Sequence, residues 1–405
     1  MAEVQTASLK RSLTLTLVTL YGLGTIIGAG IYVLIGKVAG HAGMFTPLAF
    51  LVAALIVTPT AFTYAELSSR FPVSAGEAVY ADKAFRRRWF SFLMGIFLIL
   101  IGSVSTATLA NGFVGYFLEF LQLPEWLIIT SVVLLCGGLS AWGINESVGI
   151  ASMLTLLEVA GLLIIMWVAR DVIDTPSNIV ATFSPDISGA IWAGILLGGF
   201  LAFYAFIGFE DMVNIAEEVK QVEKTMPRAI ILALIISTLL YMAIAVVAVL
   251  SMDPQTLAKS NAPLASIYRM HTEQPATLIT IIGLFSILNG VLIQIIKASR
   301  VVYGMARRQW LPHIFAQVHP FTRTPLWATL ATTLLVLLLA LGFDLETLAK
   351  TTSFITLCIF TIMHIALIVI KRRDTGEQIA VSYPIWVPVV GFILSSVFLF
   401  SQFML

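Results

Sequence analysis

Charged residues in this 405-residue chain are spaced so that long stretches carry none. No charge falls between Arg88 and Glu119, between Arg228 and Asp253, between Lys350 and Lys371, or after Glu377. A helix needs roughly 20 mostly apolar residues to cross a bilayer, because each backbone group must find its partner within the segment. Reading the intervals between charges gives candidate spans at 13–38, 47–66, 89–118, 126–143, 148–169, 190–219, 228–251, 275–305, 324–342, 352–370 and 383–403, eleven in all. Glu158 and Lys297 alone sit deep inside otherwise apolar intervals. The chain is 59% apolar and 11% charged, with a mean hydropathy of +0.97. A soluble domain carries roughly 25% charged residues, so the expected environment is a lipid bilayer and the expected class is all-α integral membrane.

Several functions are excluded early. A net charge of +1 leaves no basic surface for nucleic acid. Cys136 and Cys358 lie far apart in apolar runs, and His41, His271, His313, His319 and His364 are scattered. Neither pattern makes a disulfide framework or a metal cage, and hydrolase and phosphate-loop motifs are missing. No metal, no cofactor and no enzymatic activity are therefore expected, and the residues indicate no particular protein partner. The first span follows Lys10 and Arg11 but is too long for a secretory signal and lacks a small-residue cleavage site, so it is expected to be retained. With the N-terminus cytoplasmic, 18 Lys and Arg fall in inner loops and five in outer ones, which fixes the orientation. Compact loops and the lack of a targeting extension point to the plasma (inner) membrane of a prokaryote.

Two spans look broken. Seven glycines occupy the 22 residues from Gly22 to Gly43, and each interior glycine weakens a helix by about 0.5–1 kcal/mol relative to alanine. Close packing through Gly24, Gly28 and Gly36 is the alternative. The sixth span carries Gly198, Gly199 and Gly208 among aromatics, followed by Glu210 and Asp211 about halfway along. Carboxylates at that depth need a cavity or a partner. Spans one and six are matching members of two five-helix halves, as in an inverted repeat that holds a small molecule at discontinuous helices. The loops fit inversion: Ser68 to Arg86 joins spans two and three inside, and Ser251 to Gln274 joins spans seven and eight outside.

The segments Gly24-Thr-Ile-Ile-Gly-Ala-Gly-Ile31, Glu66-Leu-Ser-Ser-Arg-Phe-Pro72, Phe206-Ile-Gly-Phe-Glu210, Ala216-Glu-Glu-Val-Lys220, Met226-Pro-Arg228 and Ala298-Ser-Arg-Val-Val-Tyr-Gly-Met-Ala-Arg307 resemble the amino acid-polyamine-organocation transporters, in order and at the expected spacing over roughly residues 13 to 373. The resemblance implies a leucine-transporter-type five-plus-five inverted repeat of eleven transmembrane helices, with helices 1 and 6 discontinuous. Residues 1–12 would form a cytoplasmic N-terminus, 13–169 the first repeat, 190–370 the second and 383–403 a peripheral helix. Members usually carry twelve spans; the ten-helix core is complete here. The implied activity is secondary active transport of an amino acid or related amine by alternating access, coupled to H+, with Na+ symport or exchange as alternatives. A non-transporting membrane sensor is a rival of another class, expected to carry a soluble signalling domain.

In the family, the unwound first helix offers N–H groups to the substrate carboxylate and the sixth-helix break surrounds the amino group. Half-helix ends carry about +0.5 and −0.5 charge, which suits a zwitterion. By position, Ile27, Gly28, Ala29 and Gly30 are assigned to the carboxylate, and the carbonyls of Phe203, Tyr204 and Ala205 to the ammonium. Phe203, Phe206 and Phe209 close over the side chain or simply pack. Ser103 and Thr106 on the third span, and Ser286 and Asn289 on the eighth, are polar candidates for the cavity wall. For each hydroxyl, a bond to the i−4 carbonyl is the alternative.

By the same resemblance, several proton-coupled relatives carry a lysine where this chain has Glu158. A membrane-buried carboxylic acid is held neutral by desolvation and so is suited to carrying a proton. Glu158 and Lys297 are expected to answer each other across the fifth and eighth helices, unless Lys297 snorkels to the cytoplasmic surface. Glu210 and Asp211 open the second half of the sixth helix, where carboxylates cap or join an inner gate. Glu66 and the Glu217-Glu218 pair read as cytoplasmic gate or surface ion pairs, and Arg86-Arg87-Arg88 as a headgroup anchor.

Overall fold

In a computed structural model of the chain, the described residues are 13–28, 30–72, 76–142, 148–173, 188–319, 324–373 and 380–402, with Phe183 and Thr322. They form helices and no named strand. In chain order these are α1 (Leu15–Ile27), α2 (Gly30–Ala42), α3 (Thr46–Arg70), the short α4 (Gly76–Phe85), α5 (Arg88–Phe117), α6 (Glu125–Trp142), α7 (Val148–Val168) and α8 (Gly189–Phe206). A 3-10 segment (Phe209–Glu218) leads into α9 (Val222–Ser251), then short α10 (Pro254–Lys259) and α11 (Pro263–Thr272), α12 (Thr277–Arg307), α13 (Leu326–Gly342), α14 (Leu345–Arg373) and α15 (Trp386–Ser401). Six helical stretches among the described residues are long and apolar enough to cross a membrane, and five apolar helices of 10–17 residues accompany them.

The surface explains why such a chain needs lipid. Leu134 and Leu135 on α6, Trp167 on α7, Leu239 on α9, Leu338 on α13 and Phe400 on α15 all point outward and are at least half exposed. Water would penalise that much apolar area; acyl chains do not. Inside the helices, hydroxyls bond back to their own turn, as Thr108 to the Val104 carbonyl at 2.9 Å and Ser237 to the Ala233 carbonyl at 2.7 Å. Where a helix starts outside the apolar layer, a side chain caps it: Asp253 accepts from the amides of Gln255 and Thr256, and Asp344 from those of Glu346 and Thr347.

Packing places five helix pairs at the centre. α5 runs along α12, α3 along α9, and α2 along α8, while α1 lies between α7 and α9. Both suspect spans are interrupted. α1 ends at Ile27, where the Gly28 amide makes a last helical bond to the Gly24 carbonyl (3.1 Å), and α2 begins at Gly30. α8 ends at Phe206, and the chain turns at Gly208 with φ +132° before the 3-10 segment. The two interruptions face each other. A Cβ on Gly208 would lie 2.3 Å from the Thr25 carbonyl oxygen, and one on Gly30 would lie 2.8 Å from the Ala205 Cα, so only glycine permits either approach. At the other end of these pieces, Leu13 pairs with Val219 in an isolated parallel bridge, and the Lys220 amide donates to the Leu13 carbonyl at 3.0 Å.

The apolar intervals and the helices agree to within a few residues for most spans. The main differences are at the seventh, which starts six residues earlier at Val222, and the tenth, which starts at Leu345 rather than 352. Charge marked the ends of the apolar stretch, and the helices continue past it into the polar boundary.

Candidate functional site

A cavity of about 40 Å³ lies where the two interruptions meet α5 and α12. Gly24, Thr25, Ile26, Gly28 and Gly30 line it from the first break, Tyr204 and Ile207 from the second, Ser105 and Leu109 from α5, and Asn289, Gly290, Ile293 and Gln294 from α12. An amino acid requires more room than this volume gives.

Hydrogen bonds hold the breaks open. The Tyr241 hydroxyl on α9 sits 2.7 Å from the Ile26 carbonyl oxygen and 2.9 Å from that of Ala205. One hydroxyl proton thus serves two carbonyls, one from each broken helix. On α12, the Ser286 hydroxyl donates to the Gly28 carbonyl at 2.7 Å. The Gly208 amide donates to Glu210 Oε2 at 2.8 Å, so this carboxylate caps the start of the 3-10 segment. Tyr204 reaches across the cavity to Ser105, with 3.0 Å between their hydroxyl oxygens.

Of the residues assigned from sequence, Gly28, Gly30, Tyr204 and Asn289 line the cavity. Ala29 lies outside the described residues. Ile27 is fully buried and absent from the lining, and the Ala205 carbonyl is taken by Tyr241. Ser103 is replaced by Ser105: two helical steps turn a side chain by about 200°, so the residues face opposite ways. Phe203 points away, packing edge-on against Phe360 at 5.8 Å between ring centroids, and Phe206 packs on Tyr241 at 5.1 Å. Phe209 likewise packs against Tyr64 and Phe360. The aromatics therefore back the second break from outside the cavity. Thr106 bonds to the Gly102 carbonyl of its own helix.

The expected pairing of Glu158 with Lys297 is absent; Lys297 forms an ion pair with Asp211. The reason is position along the helix, because Lys297 lies about two turns of α12 beyond Asn289 and meets the 3-10 segment there. Glu158 is buried, and neither carboxyl oxygen has a hydrogen-bond partner among the described residues. Its backbone carbonyl accepts from the Tyr32 hydroxyl at 2.7 Å. Glu66 is an ion-pair residue, as expected: Arg70 and Lys371 both donate to it, and the Tyr383 amide does so at 2.9 Å. The side chains of Glu217 and Glu218 lie outside the described set, as does that of Arg88.

Tyr241, Ser105, Gln294 and the Asp211–Lys297 pair were not assigned from sequence. Tyr241 and Gln294 had a legible signal, since each is a polar group within an apolar interval that must find a partner in the bundle. Ser105 had none, because only the rotation of α5 separates it from Ser103.

Comparison with known proteins agrees with this geometry. A family model described as amino acid permease matches residues 13–405. The methylthioribose transporter of Bacillus subtilis (strain 168) is 29% identical, an alignment covering 100% of this chain and 90% of the relative. The branched-chain amino acid permease BcaP of the same organism is 28% identical, covering 95% of this chain and 85% of the relative. The vacuolar cationic amino acid transporter 2 of Arabidopsis thaliana is 30% identical over 91% of this chain, which spans 61% of that protein's length. These relatives are named as transporters and permeases, not enzymes. A multi-pass membrane chain matched over almost its whole length, this protein belongs to the amino acid permease family.

Proposed function

We propose that the chain carries an amino acid across the plasma membrane by alternating access, with its N-terminus cytoplasmic and Glu158 carrying a coupling proton. The observation that carries this reading is the meeting of two interrupted helices at one small polar cavity, bridged by Tyr241. Ordinary helices leave no backbone polar group free at membrane depth, whereas discontinuous ones turn theirs toward a cavity. A zwitterion's carboxylate would face the backbone around Gly28 and Gly30, and its ammonium the Tyr204 side of the second break. The pairing of α5 with α12, α3 with α9 and α2 with α8 supports two inverted five-helix repeats, since each pair joins matching members of the two halves.

Glu158 suits a proton carrier because its unpartnered carboxyl lies beside Ser286, whose hydroxyl holds the first break. A carboxylate with no cation beside it in this environment is destabilised, so protonation state and the arrangement at Gly28 are linked. Substrate identity varies among the relatives, whose printed names include methylthioribose, branched-chain and cationic amino acids. The deciding experiment is a thermal-shift screen of the purified protein against the amino acids, polyamines and methylthioribose at two pH values, followed by uptake into proteoliposomes under an imposed pH gradient. A ligand that binds only the folded state must raise its melting temperature. Stabilisation by no amino acid would overturn amino acid transport. Full gradient-driven uptake by Glu158→Gln would remove the proton role, and a requirement for sodium would replace it.

A further inference from the structure

Lys297 is an unusual residue to find near the membrane interior, and it lies close to the cavity wall. Gln294, one turn before it on α12, lines the cavity and places its side-chain nitrogen 3.5 Å from Asp211 Oδ2. Lys297 pairs with the other oxygen of the same carboxylate. Only a single amide therefore separates the cavity from Asp211. The carboxylates acting on the Lys297 ammonium are Asp211, Glu210 and Glu77. Glu210 accepts from the Gly208 amide through Oε2 while its Oε1 has no partner among the described residues, and Glu77, on α4, accepts from the Tyr64 hydroxyl at 3.5 Å. Asp211 is the carboxylate that a cavity-lining side chain, Gln294, touches, and Lys297 neutralises it.

We infer that Lys297 is a specificity-determining residue: a tethered cation that occupies the place a basic substrate side chain would take, so that the cavity accepts zwitterions with neutral side chains and rejects cationic ones. A guanidinium or ammonium entering past Gln294 meets an acceptor already paired and a like charge behind it. With Lys297 removed, Asp211 is left buried without its cation, and a basic side chain restores the pairing. Such a swap changes which substrate fits without changing the backbone groups that hold the zwitterion. This inference rests on the transport function proposed above.

L-Arginine and L-citrulline are the probes, because they have nearly the same shape and differ in charge. Binding of each is measured by competition for L-leucine binding and by melting temperature, on the full-length wild type, Lys297→Met, Lys297→Gln and the double variant Asp211→Asn/Lys297→Met. The wild type is expected to favour citrulline over arginine by at least about tenfold, or about 1.4 kcal/mol. Either single variant shifts the arginine-to-citrulline ratio toward arginine by at least the same factor, and the double variant loses that gain. An unchanged ratio in both single variants overturns the inference, as does arginine binding to the wild type as tightly as citrulline, a result that needs no folded variant. If the wild type binds neither citrulline nor leucine nor any other amino acid, amino acid transport itself fails; if it binds citrulline and the variants gain nothing, only the role of Lys297 does.

Discussion

Replacing Gly30 by alanine adds one carbon atom where α2 meets α8. That carbon would lie 2.8 Å from the Ala205 Cα and 3.2 Å from its Cβ. Neither neighbour is the end of a flexible side chain, so the start of α2 and the end of α8 must move apart. Overpacking of this kind destabilises by about 1–3 kcal/mol, while alanine's better helix propensity returns about 0.5–1 kcal/mol. The net expectation is a loss of up to about 2.5 kcal/mol, accompanied by loss of substrate binding, because the displaced backbone is the cavity wall. Gly138 in α6 provides the control, since a Cβ there meets nothing within 4 Å. Gly138→Ala is expected to gain up to about 1 kcal/mol from helix propensity alone. Thermal or denaturant unfolding of both variants in the same detergent, with ligand-induced stabilisation measured in parallel, reads the opposite signs directly. A Gly30→Ala protein as stable as Gly138→Ala, and still responsive to ligand, would refute the close contact of the two breaks.

Three further expectations follow from named contacts. Tyr241→Phe keeps the ring contacts with Phe50 and Phe206 but removes the hydroxyl shared by Ile26 and Ala205; a loss of about 1–3 kcal/mol and weaker substrate binding are expected in melting and binding assays. Glu66→Gln leaves Arg70 and Lys371 facing a neutral group in a buried site, so a loss of about 3–5 kcal/mol is expected in the same melts. Burial pushes the Glu77 carboxyl from 4.5 up to about 7, against the pull of Lys297. The folded chain then holds a proton that the unfolded chain has released, so this contribution is full below 4.5 and fades as pH rises through 7. Glu77→Gln should therefore flatten the fall in melting temperature over that window, and an identical pH profile in the variant would exclude Glu77 as its source.

The fold was legible because lipid enforces it: charges mark where helices surface, and Gly22 to Gly43 and Gly208 mark where they break. Gly30 and Gly208 carry the most specific message, since each is a glycine for want of space against the other broken helix. The site was legible only in part, and the shortfall is rotational. An all-apolar helix gives no periodic pattern to fix which face turns inward, so the sequence named Ser103 and Thr106 but not Ser105, and left open whether Phe203, Phe206 and Phe209 close over a substrate or pack, as they do here. Lys297 found the wrong partner for a related reason. Sequence locates a charge along its own helix, but the depth of the opposing carboxylates depends on how far Phe209–Glu218 descends after the break, which follows from the 3-10 geometry rather than from α-helical rise.

The short bridge between Leu13 and Val219 has a mechanical outcome. It ties the beginning of one half-helix to the end of the other through main-chain bonds, including that from the Lys220 amide to Leu13. Swinging either piece alone would tear those bonds; swinging both preserves them. The two pieces are thus yoked like oars on one crossbar, and a displacement of one is passed to the other in the same stroke.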